Sequence, residues 1–87
     1  MKIKQNYVLR NVADHYIVVP IGEEAVHFNG IISLNKSGKI LYDKLIAGAI
    51  KKDLVSLLMT TYDVEEKEAI KDVDDFIKTL DSKNMLE

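Results

Sequence analysis

Residues 34–48 of this 87-residue chain read LNKSGKILYDKLIAG. The polar residues 35–38 interrupt an apolar segment, and after them apolar residues recur at the three- and four-residue spacing of a helix. Asn35 is a favourable N-cap, because its side-chain oxygen can accept a hydrogen bond from an N–H of the first helical turn. The stretch therefore predicts a strand that leads almost directly into a helix.

Three short strands are predicted up to this junction. Residues 7–12 alternate weakly between apolar and polar side chains, and residues 15–21 are rich in β-branched and aromatic ones. Pro20 has no N–H to donate, so it should lie at the end or the edge of the second strand. Turn signals at residues 22–24 and 29–30 flank a short apolar piece, and residues 31–34 are the predicted third strand.

Three amphipathic helices are predicted after the junction. The first spans residues 36–47, the second residues 51–62, and the third begins after residue 63. Their apolar stripes are expected to face a common core. The stripe residues are Ile40, Leu41, Leu45 and Ile46 in the first helix, Ile50, Leu54, Leu57, Leu58 and Tyr62 in the second, and Ala69, Ile70, Val73, Phe76, Ile77 and Leu80 in the third.

Residues at the helix ends have the chemistry of caps. Gly48 is expected to close the first helix in the left-handed conformation. Asp63 is expected to be the N-cap of the third helix, with Glu66 at the capping-box position. Asn84 is a left-handed stop for that helix, after which residues 85–86 should fold back on the core. The predicted order is βββααα, an α+β fold with a winged-helix-like shape, in one domain of residues 1–87.

Composition excludes several classes of site. The chain has no cysteine, so disulfides and thiolate metal sites are excluded. A formal net charge of −2 gives no general attraction to nucleic acid or to anionic membranes. The first ten residues lack the apolar core of a signal peptide, and no run is long enough to cross a membrane. We therefore expect a cytoplasmic protein.

The side chains that carry chemistry are few and scattered. His15 and His27 are twelve residues apart and have no partner at metal-ligand spacing. The serines lack the context of a catalytic nucleophile, and the glycines are too few for a phosphate-binding loop. We expect no catalytic residue, no metal site and no cofactor, and hence a protein that is not an enzyme.

Two surfaces are candidates for binding. Residues 63–75 carry seven acidic side chains against two lysines, which is either a solvated helix face or an anionic rim for a basic partner. The third strand is short, apolar and free of the lysines and prolines that usually protect an edge. It is either covered within the fold or a template for an added strand.

The ordered motifs of the second half resemble the signature of PqqD-like proteins. LNKSG at residues 34–38 precedes ILYDKL at 40–45, and the likeness continues through Gly48, YDV at 62–64 and MLE at 85–87. It extends over nearly the whole chain from about Tyr7. Each motif is weak alone, but their order and spacing together are fairly specific.

The resemblance implies a winged-helix-like unit that binds the leader of a ribosomally made precursor peptide and presents it to a modifying enzyme, often a radical SAM enzyme. The leader would add as a strand to the third strand, in the cleft beside the third helix. The site residues that this implies are Gly30, Ile31, Ile32, Ser33 and Leu34 on the strand and Ile70, Val73, Asp74 and Ile77 on the helix. Which backbone groups of the strand face the leader is left open.

Two other functions remain open from the sequence. A winged-helix regulator would bind nucleic acid, but a DNA-reading helix should carry Lys and Arg, and the third helix is acidic. A structural subunit would dock on a larger enzyme without touching its substrate. Exposed sheet edges also permit a homodimer. We expect no nucleic-acid or membrane partner.

Overall fold

The computed structural model describes residues 1–22 and 32–87. Within them the element order is three strands followed by three helices, which confirms the predicted α+β class and its βββααα order. Two turns and a short apolar piece are predicted between the second and third strands, and apart from Gly22 they lie outside the described residues, as do His27, Gly30 and Ile31. The elements are β1 (Tyr7–Val12), β2 (His15–Pro20), β3 (Ile32–Leu34), α1 (Lys36–Ala47), α2 (Lys51–Tyr62) and α3 (Glu66–Ser82).

The three strands form one antiparallel sheet in the order β1-β2-β3. Val18 of β2 lies opposite Leu9 of β1 on one side and Ile32 of β3 on the other. Side chains alternate between the two faces of a sheet, so this row points to one face. Val18 and Ile32 are buried there, which places the helices on that face.

The phase of the hydrogen bonds shows which backbone groups of β3 are left for an additional strand. The N–H of Ile21 donates to the carbonyl of Asn6 at 2.9 Å, in register with the β1–β2 pairs. Bonding alternates along an antiparallel pair, so every second residue of β2 bonds to β1 and the residues between, including Val18, face β3. Ile32 therefore bonds to β2, and the N–H and carbonyl of Ser33 point outward from the sheet edge.

The cap of α1 is the one that the sequence predicts. Asn35 has an extended backbone, and its side-chain oxygen accepts the N–H of Gly38 at 2.9 Å. Gly38 packs closely under β3, since a Cβ there would lie 3.2 Å from the Leu34 side chain. At the other end Gly48 has φ 101° and ψ 135°, a glycine conformation with positive φ but not the left-handed helical one that we expected.

The apolar stripes need correction at four residues. Tyr42, absent from the predicted stripe, is only 1% exposed, whereas Ile46 is 50% exposed. Ile50 and Tyr62 lie at the two ends of α2 and are also exposed, so this helix contributes mainly Leu54 and Leu58 to the core. Periodicity identifies the inward direction of a helix, but the ends of a stripe can extend past the elements that would cover them.

The predicted N-cap of the third helix is wrong. Asp63 has a left-handed backbone (φ 52°, ψ 43°), and its N–H donates to the carbonyl of Met59 at 3.1 Å, which closes α2. Aspartate is among the few residues with a side chain that adopt this conformation readily, so it can end a helix as well as begin one. The cap position of α3 is instead Glu65, whose side chain makes no capping hydrogen bond.

The segments next to the two chain termini lie side by side and contribute Ile3 and Met85 to the core. Asn84 has a left-handed backbone (φ 56°), and Met85 after it is fully buried, as the sequence predicts. The sequence did not predict the role of the first residues. Ile3 is 3% exposed, bridges to Leu86 and donates its N–H to the carbonyl of Leu45 at 3.1 Å. The first residues are thereby held between the end of α1 and the C-terminal segment.

Candidate functional site: a groove beside the edge strand

The outer edge of β3 has the geometry of a template for one more strand. Ile32 and Leu34 direct their side chains into the core and are each 7% exposed, while Ser33 between them is exposed. The outward backbone groups of Ser33 thus lie on an edge strand that is held in place by the buried side chains of Ile32 and Leu34. Within the described chain, β3 has a strand partner on one side alone.

A groove of about 220 Å³ runs beside this edge, between β3 and α3. Its strand side is formed by Ile32, Ser33 and Leu34, and its helix side by Phe76, Thr79 and Leu80. Phe76 is half-buried, and the hydroxyl of Thr79 donates to the carbonyl of Asp75 at 3.0 Å, within its own helix. The groove therefore combines the outward backbone groups of Ser33 on one wall with Phe76, Thr79 and the buried Leu80 on the other.

The groove continues past the start of α1. A second cavity of about 240 Å³ shares Asn35, Gly38 and Phe76 with the first and adds Asp72 and Asp75. A third, of about 500 Å³, shares Asn35 and Asp72 with the second. The shared residues place the three cavities in a row, from the edge of β3, over the N-terminus of α1, to the end of α2. We call this row of cavities the groove.

The groove holds little of the chemistry that catalysis or metal binding requires. In residues 1–22 and 32–87 no cluster of three or more His, Cys, Asp or Glu side chains could hold a metal ion. His15 is exposed, with its ring 3.5 Å from the carboxylate of Asp14. The arrangement of apolar walls and outward backbone groups is that of a peptide-binding surface.

The displaced pKa values belong to residues outside the groove. Burial raises the pKa of the Tyr42 phenol to about 12, with smaller contributions from Tyr7 and Asp43. A hydrogen bond from the Lys39 ammonium to Asp43 raises the pKa of Lys39. Both residues lie on α1. The raised pKa of Tyr42 reflects its burial in the core, and that of Lys39 reflects an exposed ion pair with Asp43, one helical turn away.

Comparison with known families identifies the chain. Its residues 10–86 match the family model described as Coenzyme PQQ synthesis protein D (PqqD). The chain belongs to the PqqD family. The match begins within β1 and ends one residue before the C-terminus, so it includes both walls of the groove. No curated protein has a sequence similar enough to match.

Two solved structures have the same fold as this PqqD-family chain. One is described as TbiB1 in complex with the TbiA(beta) leader peptide, with a TM-score of 0.78 at 22% identity, covering 100% of this chain and 95% of that one. The other is described as lasso peptide synthetase B1 complexed with the leader peptide, with a TM-score of 0.74 at 17% identity, covering 97% and 93%. At these identities the likeness shows a shared fold.

The residues that the PqqD-like resemblance implied fall into different places. Ile32, Ser33 and Leu34 line the groove, while Gly30 and Ile31 lie outside the described residues. Val73 is fully buried in the core.

The other three helix residues also lie away from the groove wall. Ile70 and Ile77 are half-buried, and neither belongs to that wall. Asp74 is turned toward α2, where its carboxylate lies 2.6 Å from the ammonium of Lys51.

The geometry of α3 explains why these helix positions lie away from the groove. Residues two apart in sequence lie about 160° apart around a helix. Asp74 and Phe76 therefore face nearly opposite directions, and the groove is on the side of Phe76. Sequence reasoning placed Phe76 in the core stripe and overlooked it as a groove residue, although it is the one aromatic side chain of α3. An aromatic residue next to a predicted binding edge was a usable signal.

No helix among the described residues is both long enough and apolar enough to cross a membrane.

Proposed function

We propose that this PqqD-family protein binds the leader of a ribosomally made precursor peptide as a fourth strand beside β3. The observation that carries the proposal is the outward-facing N–H and carbonyl of Ser33 at the mouth of an apolar groove. Backbone hydrogen bonds would give affinity with little demand on sequence, and alternate leader side chains would enter the groove and supply selectivity.

Two independent lines support this proposal. The solved structures with the same fold are described as complexes with leader peptides. The groove itself offers the partly exposed ring of Phe76, packed over the fully buried Leu80, as an apolar surface opposite the edge of β3. The helix side of the proposed site is therefore Phe76, Thr79 and Leu80, in place of the positions expected from sequence.

The protein would act by presenting its peptide. We propose a non-catalytic, cytoplasmic, single-domain carrier that delivers the precursor to a modifying enzyme. We propose that this enzyme is of the radical SAM type. A leader that is disordered before binding loses conformational freedom in the complex, so part of the interaction energy is used in ordering it. We expect an affinity on the order of micromolar or somewhat tighter.

The direct test is amide hydrogen exchange at the two sheet edges. The probe is a peptide selected against the protein from a displayed library of random sequences. The outward N–H of Ser33 should exchange fast in the free protein and become protected in the complex, because an added strand would accept its hydrogen bond. The corresponding N–H at the other edge is that of Asn11, whose exchange should not change. Protection at Asn11 with none at Ser33, or selection of no binding peptide, would refute the proposal.

A further inference from the structure

We infer that the bound leader extends beyond the end of β3 and places a bulky apolar side chain, flanked by Lys or Arg, in the wide end of the groove. This inference rests on the proposed function and adds the chemical class of the peptide. The wide end is the part of the groove bounded by Leu58, Tyr62 and Val64, with Asp14 and Asp72 at its rim.

The wide end and the cavity beside β3 lie on either side of a middle cavity. The middle cavity shares Asn35 with both. A chain that leaves the edge of β3 on the Asn35 side therefore runs toward the wide end. Any other molecule in the wide end would have to bind directly against the leader, so the leader itself is the simplest occupant.

The size and lining of the wide end suit an apolar anchor. Its volume of about 500 Å³ falls within the roughly 300 to 1,000 Å³ of pockets that hold small ligands. Leu58 forms a buried floor at 3% exposure, Val64 is half-buried, and Tyr62 is 41% exposed. A bulky aliphatic or aromatic side chain would cover the exposed surface of Tyr62, and such anchors contribute most of the binding energy in peptide complexes.

The charges around the groove favour a basic flank. Asp14 and Asp72 border the wide end, and Asp75 borders the middle of the groove, against the single lysine Lys36 among the described lining residues. Within residues 1–22 and 32–87, neither Asp72 nor Asp75 forms an ion pair with a Lys, Arg or His side chain. A Lys or Arg beside the anchor would be attracted by the carboxylates of Asp72 and Asp75, whereas an acidic leader would be repelled by them.

The experiment is a selection of random peptides against the wild-type protein, followed by binding of the enriched peptides to variants. Tyr62→Ala and Asp72→Lys should each weaken binding about three- to tenfold. Their matched controls are Ile50→Ala, at the opposite end of α2, and Asp81→Lys, an exposed acid of α3 outside the groove. Both controls should bind as the wild type does. Added salt should weaken wild-type binding more than binding to Asp72→Lys.

Amide NMR of the wild-type protein removes any dependence on the folding of variants. The amides of Tyr62 and Val64 should shift when an enriched peptide is added. Peptides whose binding depends on Ser33, but which leave these two amides unmoved and carry no basic-apolar motif, would overturn this inference and leave the proposed function standing. Peptides that are indifferent to Ser33→Pro would overturn the proposed function itself.

Discussion

The two edges of the sheet offer similar backbone groups in different surroundings. The edge of β1 is six residues long, and its last three residues are exposed. The edge of β3 is three residues long in the described chain, and two of those three side chains are buried. The start of β1 at Tyr7 borders residues 2–5 of the N-terminal segment, while Ser33 of β3 lines the groove. The shorter edge is the better template, because the surface next to it can also hold side chains.

The difference shows that unpaired backbone groups alone do not make a peptide site. Any edge strand offers N–H and carbonyl groups, and most proteins protect such edges from association. At β3 the helix α3 lies far enough away to leave a cavity and near enough to form its wall, with Phe76 facing the strand. A cavity of about 240 Å³ also borders the start of β1 at Tyr7, but it is lined mainly by residues 2–5 of the N-terminal segment, with Tyr42 and Ile46 of α1. The core packing of Tyr7 and Tyr42 leaves little of either side chain exposed there.

The largest effect should come from a proline at each edge. Ser33→Pro removes an N–H that points outward, so it should leave the β2–β3 bonds intact and weaken peptide binding on the order of a hundredfold. Asn11→Pro makes the matched change at the outward position of β1 and should leave affinity unchanged. Titration calorimetry with a selected peptide measures both. If both variants are folded by circular dichroism and Asn11→Pro is the one that loses binding, the leader adds to β1.

Phe76 tests whether the groove wall contributes to the difference between the edges. Phe76→Ala should weaken binding about thirtyfold, or ~2 kcal/mol, because a large apolar contact with the leader is lost. Ile77→Ala, the next residue on the same helix, removes a half-buried side chain outside the groove wall and should alter folding stability alone. Fluorescence anisotropy and thermal unfolding separate the two effects. Equal losses of affinity in the two variants would mean that Phe76 acts through the fold.

Sequence predicted the elements of the fold more closely than it predicted which α3 residues line the groove. The bounds of α1 and α2 followed from Asn35 and from apolar periodicity, since local signals decide local structure. The edge strand was also found, because β3 lacks the residues that normally protect an edge. The helix residues predicted for the site differ from those that line the groove, because a stripe that contains both Phe76 and Ile77 does not show which flank borders β3. That choice depends on how α3 packs against β3 and α2, which no local pattern encodes.

Tyr42 of α1 lies close enough to Tyr7 of β1 to feel its charge, and it tests whether the surroundings of β1 serve the stability of the fold. Its folded pKa of about 12 lies above the ordinary value of 10.0, so the folded state retains this proton longer than the unfolded one. The stabilisation is complete below about pH 10 and is lost as the pH rises to 12, a change on the order of 2 kcal/mol. Urea unfolding from pH 8 to 12 should show this loss relative to Tyr42→Phe, which lacks the ionising group. Parallel stability curves for the two proteins would contradict the assignment.

The smallest effect is expected at Asp74, and it distinguishes the two flanks of α3. The carboxylate of Asp74 pairs with Lys51 on the surface between α2 and α3, and both side chains are about half exposed. Such a pair contributes at most about 1 kcal/mol, so Asp74→Asn should lower stability slightly. It should not change affinity or peptide preference, whereas Asp72→Asn, two residues away on the groove side, should reduce the preference for basic peptides. A change of preference in Asp74→Asn equal to that in Asp72→Asn would mean that the charge of the helix acts at long range. The specificity would then lie in the total charge of α3, and the groove would select by shape alone.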